Sequence, residues 1–295
     1  MMLSVFTVAT PDLSPEQLLG VAREAGIHAI EWRCTHVSEA VKSEAPSFWG
    51  NNRCTLEPTA SMEELRQLRA ATEAHGLQSL AVVPYLKCGD LAETERMLSI
   101  AAELGAATIR IGVPGYDGTR PFGELMQEAR AYVKEAEKLA KQYGVKELVE
   151  THHKTITPSA SLARQLVDGC DPDAIGVLYD PGNLVHEGFE SHKMGLEILG
   201  PYLAHVHVKN AAWVLRHSEV EEANRQLAAG LATASWSCEW KAISEGIVPW
   251  KQVLTDLKAV GYTGAFGVED FSKTYDSSTM LRLFVEQMKT WWEEA

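Results

Sequence analysis

The chain has 295 residues, 45% of them hydrophobic and 23% charged, which is ordinary for a globular protein with a substantial core. Its formal net charge of −13 repels phosphate backbones and anionic lipid, which argues against nucleic acid and membrane as partners. Five scattered cysteines (Cys34, Cys54, Cys88, Cys170 and Cys238) form no CxxC pair, so neither a disulfide framework nor a structural zinc site is expected. The start MMLSVFTVATPDLSPEQ lacks the basic region of a signal peptide, and a reducing cytoplasm is the expected setting.

Strand-like and helix-like runs alternate along the whole chain. Leu3 to Val8 reads as a strand, and Ser14-Pro15-Glu16 caps a helix that runs to Gly26. His28 to Arg33 is the second strand, and Ser61 to His75 is a helix opened by the capping-box pattern Ser-Met-Glu-Glu. Leu80 to Tyr85 and the helix Glu93 to Leu104 follow, then Thr108 to Val113 and the long helix Phe122 to Tyr143. Four further strand-like segments are KELVETHH (146–153), IGVLYDPGN (175–183), AHVHVKN (204–210) and AFGVEDF (265–271). The helices among them start near Ser159, Lys193 and Pro249, and a last one runs from Ser278 to the end. Gly26, Gly76, Gly105, Gly144 and Gly261 stand where each helix should close.

Eight strands, each followed by a helix and uninterrupted by a linker, predict a single (β/α)8 TIM barrel over residues 1–295. A doubly wound open sheet fits less well, because no GxGxxG turn follows the first strand. The connections after strands 2 and 7, Cys34 to Pro58 and Ala211 to Gly246, are longer than the barrel needs. Both leave the C-terminal face, and their aromatic residues (Phe48, Trp49, Trp236, Trp240) suggest ordered lids or a subunit contact. Trp291 and Trp292 in the last helix fit packing or a dimer contact, so a homo-oligomer stays open.

The four later strands each end in a residue that can bind a hard divalent cation: Glu150, Asp180, His207 and Glu269. Alternation puts Leu148, Glu150 and His152 on one face, and likewise His205, His207 and Lys209, then Gly267 and Glu269. A polar residue at the last inward position of a barrel strand projects into the mouth. Three carboxylates and an imidazole make a shell for one divalent ion, with Mn²⁺ favoured and Mg²⁺, Co²⁺ or Zn²⁺ also suited. Such an ion would polarise a carbonyl and stabilise an enediolate, while Glu150 and Glu269 act on opposite faces as base and acid. That chemistry yields isomerisation or epimerisation, and dehydration where a β-hydroxyl leaves.

The ordered Glu, Asp, His and Glu, together with DPGN and HVHVKN, resemble the xylose isomerase-like TIM-barrel superfamily, the sugar phosphate isomerases and epimerases. The resemblance covers essentially the whole chain. It implies Glu150, Asp180, His207 and Glu269 as metal ligands, the two glutamates as the acid–base pair, and Lys209 as the lysine of the family's HxHxKD segment. Asn210 replaces that segment's aspartate. Ile156 and Asn183 stand where the ketose 3-epimerases carry a further glutamate and a histidine, so the substrate contacts differ from theirs.

The reading is therefore a divalent-metal-dependent isomerase or epimerase acting on a sugar, keto-sugar or related polyol. The alternative is a metal-dependent dehydratase of inosose, keto-sugar or dehydroshikimate type. A non-catalytic sugar-binding barrel and an endonuclease IV-like phosphodiesterase fit less well, the latter for want of extra ligands and of positive charge. Candidate substrate contacts are His152, Lys209, Glu31, Asn183 and Arg216, with His153 a lesser candidate. His205 is expected to be an interior histidine one layer below His207, while His186 and Glu187 are expected to cap the next helix.

Overall fold

A computed structural model describes residues 1–187, 190–215, 224–225, 227–230 and 236–295. Strands β1 (Met2–Phe6), β2 (Ala29–Cys34), β3 (Gln78–Pro84), β4 (Thr108–Arg110) and β5 (Lys146–Glu150) lie in chain order. They are followed by β6 (Ile175–Tyr179), β7 (Leu203–Val208), β8 (Asn210–Leu215), β9 (Trp236–Lys241) and β10 (Ala265–Val268). Eight of them close a barrel in the order β1-β10-β7-β6-β5-β4-β3-β2, while β8 and β9 form a separate two-stranded antiparallel sheet. Every barrel pairing is parallel, so all strands end at one rim. The (β/α)8 expectation is met.

The helices form where capping and periodicity place them. Ser14 caps α1 (Pro15–Ala25) and Ser61 caps α2 (Met62–Ala74), each with a reciprocal capping box. Asp90 caps α3 (Leu91–Leu104), and the αL residues Gly105 and Gly144 (φ 69° and 65°) close α3 and α4 (Phe122–Tyr143). Ser159 caps α5 (Ala160–Val167), and α6 (Pro181–Leu184) is a single turn that starts inside the DPGN segment. The ring is completed by α7 (His192–Leu199), α8 (Trp250–Ala259) and α9 (Ser277–Glu294). Their buried faces and the outward faces of the strands make one continuous core that includes Trp32, Leu98, Val149, Leu254 and Phe284. None of the described helices is long and apolar enough to cross a membrane, and all five cysteines are free.

Two departures from the sequence reading concern the loops. The fourth strand ends at Arg110, short of Val113, and the chain then passes hard against the connection after β3, where a Cβ at Gly112 would sit 1.9 Å from the Leu86 carbonyl oxygen. The connection after β7 is no open loop: β8 follows at once and pairs with β9 from Asn210↔Lys241 to Leu215↔Trp236. Asn210 ties the base of this hairpin. Its amide donates to the Ile243 carbonyl at 2.8 Å and accepts from the Val248 N–H at 2.9 Å. Trp213 anchors the hairpin by donating to the Val185 carbonyl at 2.7 Å.

Glu147 stands out in the layer between barrel and helices. It is wholly buried, and neither carboxylate oxygen has a hydrogen-bond partner among the described residues. Burial raises its pKa from 4.5 to about 8. The folded form therefore holds a proton that the unfolded chain has lost, and stability falls as pH rises from about 4.5 through about 8. The loss accrues at roughly 1.4 kcal/mol per pH unit in that window. Urea unfolding between pH 5 and pH 9 should show this decline, and Glu147→Gln should flatten it. Parallel curves for the two proteins would contradict this account.

Candidate metal centre at the C-terminal rim

Glu150 is the last residue of β5, Asp180 follows β6, His207 lies near the end of β7, and Glu269 follows β10. The four side chains converge at the rim, with one potential ligand atom from each lying within 4.8 Å of all the others. All four are buried, His207 and Asp180 completely. Glu150 and Glu269 reach in from strands separated by β6 and β7, so they stand on different sides of the cluster.

His207 faces two ways. Its Nε2 contacts Glu31 Oε2 at 2.9 Å, on the barrel side. Its Nδ1 faces the carboxylates of Glu269 (3.7 Å), Glu150 (3.8 Å) and Asp180 (4.0 Å), and is buried without a hydrogen-bond partner among the described residues. An orphaned imidazole nitrogen aimed at three carboxylates fits a divalent cation, which accepts one nitrogen and several oxygens at once. Phe6 stacks on the ring, with centroids 5.8 Å apart.

Positive side chains surround the carboxylates. Lys209 Nζ contacts Asp180 Oδ2 at 2.7 Å and also Glu269 Oε2. Arg110 Nη1 donates to Glu150 Oε2 at 2.7 Å. Burial would raise the Glu150 pKa, but the Arg110 charge and the His207 contact hold it well below the usual carboxylate range. Burial pushes Asp180 up, and the like charges of Glu269 and Glu150 add to this against the pull of Lys209. Burial would lower His207, yet Glu31 beneath it and the rim carboxylates lift it to about 10. Without another cation, these three groups supply the positive charge that buried carboxylates demand.

Glu31 does not reach the mouth. It lies below His207, 0% exposed, accepting from Ser4 Oγ at 2.7 Å and contacting His205 Nε2 at 3.0 Å. It meets neither Arg33 nor Arg110. Glu31 is placed to orient the His207 ring from below, as a carboxylate does for a histidine whose other nitrogen binds a metal, should His207 hold one. Gly267 makes room for it, since a Cβ there would fall 2.0 Å from Glu31 Oε1. His205 occupies the interior layer expected of it.

The other candidate contacts sort by position. Asn183 is buried beside the carboxylates, donating to Asp180 Oδ2 (2.9 Å), the Thr151 carbonyl (3.1 Å) and Glu150 Oε1 (3.2 Å). Its carbonyl oxygen meets His153 Nδ1 at 3.1 Å. His152, His153 and His186 stack in series at centroid distances of 4.3 and 4.1 Å, and His186 packs on Trp240 at 4.7 Å. Burial drives His153 down to about 3 and His186 down to about 4, so both rings are neutral. His186 and Glu187 do not cap the next helix: Ser191 precedes it, and Glu187 instead accepts from the Lys154 N–H at 2.7 Å. Arg216 lies outside the described residues.

The roof is aromatic. Phe48 and Trp49 of the first long connection, together with Trp240 of β9, pack on Phe271 at 5.1, 5.2 and 5.8 Å. Lys209 Nζ lies 4.8 Å from the Trp240 ring centroid. Sequence reasoning missed Arg110 and Arg33 as rim residues, although both fall at last inward positions of strands. A cavity of about 570 Å³ opens at the opposite end of the barrel, around Met2, Thr108 and His205, and holds none of the four rim ligands.

The family described as xylose isomerase-like TIM barrel matches residues 19–294, and the chain belongs to it. Inosose dehydratase 2 from Bacillus cereus is 29% identical over 135 residues, a match spanning 45% of this chain and 42% of that protein. The structure of 3-keto-D-glucoside 4-epimerase from E. coli is similar over 98% of this chain and 99% of its own, with a TM-score of 0.70 and 15% identity. The IolI protein with a bound zinc atom is similar over 100% of this chain and 96% of its own, with a TM-score of 0.69 and 16% identity. At such identities the two structures establish the fold.

Because Glu31 holds His207 from below, Glu31→Gln is expected to weaken Mn²⁺ binding about tenfold or more with little change in melting temperature. Calorimetric titration of Mn²⁺ into the two proteins checks this. Equal affinities would remove Glu31 from any positioning role.

Proposed function

We propose that the protein is a divalent-metal-dependent sugar isomerase or epimerase, acting on a keto-sugar or related polyol by moving a proton next to a carbonyl. The observation that carries this reading is the convergence of Glu150, Asp180, His207 and Glu269, with the His207 Nδ1 atom aimed at the three carboxylates and unpartnered. These four residues would hold the ion, with Mn²⁺ best suited to three carboxylates and one imidazole. The zinc in the similarly folded IolI protein leaves Zn²⁺ as a second choice. When bound, the ion supplies Lewis acidity that makes the hydrogen beside a coordinated carbonyl easier to remove.

Glu150 and Glu269 then have the proton work. Standing on different strands, one takes the proton from one face of the carbon and the other returns it from the opposite face. Lys209, charged and placed between Asp180 and Glu269, is positioned to hold a substrate oxygen. Asn183 keeps the Asp180 and Glu150 oxygens oriented. The aromatic side chains Phe48, Trp240 and Phe271 cover part of the rim with apolar surface, which would limit loss of the abstracted proton to solvent there. Five free cysteines suit a reducing cytoplasm.

A second reading, a dehydratase, is favoured by the inosose dehydratase match. It shares proton abstraction and differs in the fate of a β-hydroxyl.

Deuterium incorporation from D₂O into a panel of ketoses, inososes and keto-acids, with Mn²⁺ or with EDTA, tests the reading. Exchange that requires metal is expected, and product mass separates rearrangement from loss of water. Glu269→Gln should lower turnover by at least about a thousandfold while leaving the fold intact. Full activity in that variant, or exchange undiminished by EDTA in metal-free protein, would overturn the proposal.

A further inference from the structure

At the rim, on the side of β2, β3 and β4, the charge pattern reverses. Arg33 lies at the end of β2, one inward position beyond Glu31, and is 5% exposed. Its Nε donates to the Tyr85 hydroxyl at 3.2 Å and its Nη1 donates to Thr55 Oγ1 at 2.6 Å. Both partners are neutral. Among the described residues no carboxylate forms an ion pair with Arg33, whereas Arg110 on the same side pairs with Glu150. The guanidinium carbons of Arg33 and Arg110 lie over the Tyr85 ring, 5.5 and 5.4 Å from its centroid. Tyr85 itself is 43% exposed, so this group borders solvent at the mouth.

A guanidinium carries five N–H donors, and the two neutral bonds leave three unmatched among the described residues. Burying such a cation without an anion costs free energy that packing alone does not return. Apart from the Tyr85 ring, no group among the described residues answers the charge, and the backbone N–H of Arg33 is held separately by Thr7 Oγ1 at 2.9 Å. The Tyr85 hydroxyl, accepting from Arg33, still has its own proton to donate. Planar donors facing an open mouth match a carboxylate or a phosphate ester, which two guanidinium N–H groups can grip together. A neutral polyol would leave the charge uncompensated.

We propose that Arg33, with Arg110 and the Tyr85 hydroxyl beside it, forms a subsite for an oxyanion substituent of the substrate, a carboxylate or a phosphate ester. This deepens the reading of the rim as a sugar-processing site and rests on it. The carbon chain would lie across the mouth, its carbonyl toward the β5, β6, β7 and β10 side and its anion toward β2 and β4. The substrate class is then an acid sugar or a sugar phosphate.

The test uses the full chain loaded with Mn²⁺, as wild type, Arg33→Met and Arg33→Lys, after melting temperature and bound Mn²⁺ have been measured for each. Calorimetric titrations compare two matched pairs: glycerol 3-phosphate against glycerol, and D-erythronate against erythritol. The wild type is expected to bind the anionic member of at least one pair about tenfold or more tightly than its neutral partner. Arg33→Met should abolish that preference at unchanged Mn²⁺ content, and Arg33→Lys should keep part of it. Which pair responds tells phosphate from carboxylate. A preference that survives in Arg33→Met, or no preference for either anion in the wild type, overturns the subsite. Should Arg33→Met not fold, Arg33→Gln is read by the same criteria. The Mn²⁺ content reports on the metal reading separately: protein that binds no Mn²⁺ yet prefers the anion through Arg33 fails only that reading.

Discussion

Three carboxylates buried at one point cannot stand without positive charge, and the rim of this barrel is organised around that constraint. Glu150, Asp180 and Glu269 are each less than a tenth exposed. Burial opposes ionisation of Glu150 and Asp180, so the site needs cations within hydrogen-bonding reach. Lys209 and Arg110 supply two, and His207, charged through Glu31, a third. A divalent ion would answer the same need with fewer groups and would use the His207 Nδ1 atom, which has no hydrogen-bond partner among the described residues.

The fold provides the means. Parallel strands deliver all their C-terminal ends to one rim, which is why residues scattered from 150 to 269 meet. Beneath the rim the barrel interior is polar where a packed hydrophobic layer is usual. Ser4, Glu31 and His205 fill it, and Gly267 supplies the missing volume. Above the rim, two connections from different parts of the chain close an aromatic roof on Phe271. The hairpin of β8 and β9 is built so that Trp240 lands over Lys209, with Asn210 fixing its base. Each layer constrains the next, and His207 passes through two of them.

Much of this was legible in the residues. Period-two alternation and helix caps mark the eight strands, because those signals are local. The four rim residues stand out because each is polar at the end of an apolar run, where burial of a carboxylate or imidazole has no structural motive. What escaped was non-local. Glu31 reads as a rim residue, yet the barrel's stagger sets it a layer below, under His207. Asn183 was legible as a candidate contact, but its bonds to His153, Glu150 and Thr151 join residues 30 or more apart and no periodicity announces them. The β8–β9 hairpin was hidden because about twenty residues separate its strands and neither shows a clean alternation. Arg33 and Arg110 obey the strand-end rule that singled out the carboxylates, and that rule applies to cations as well as anions.

The metal centre is the claim on which the functional account turns. Anomalous diffraction from crystals of the protein soaked in Mn²⁺ tests it most directly. The account predicts one strong peak at the rim, at about 2.0–2.3 Å from the His207 Nδ1 atom and from oxygens of Glu150, Asp180 and Glu269, with Lys209 displaced from the carboxylates. A rim without a peak, still closed by Lys209 between Asp180 and Glu269, would contradict it.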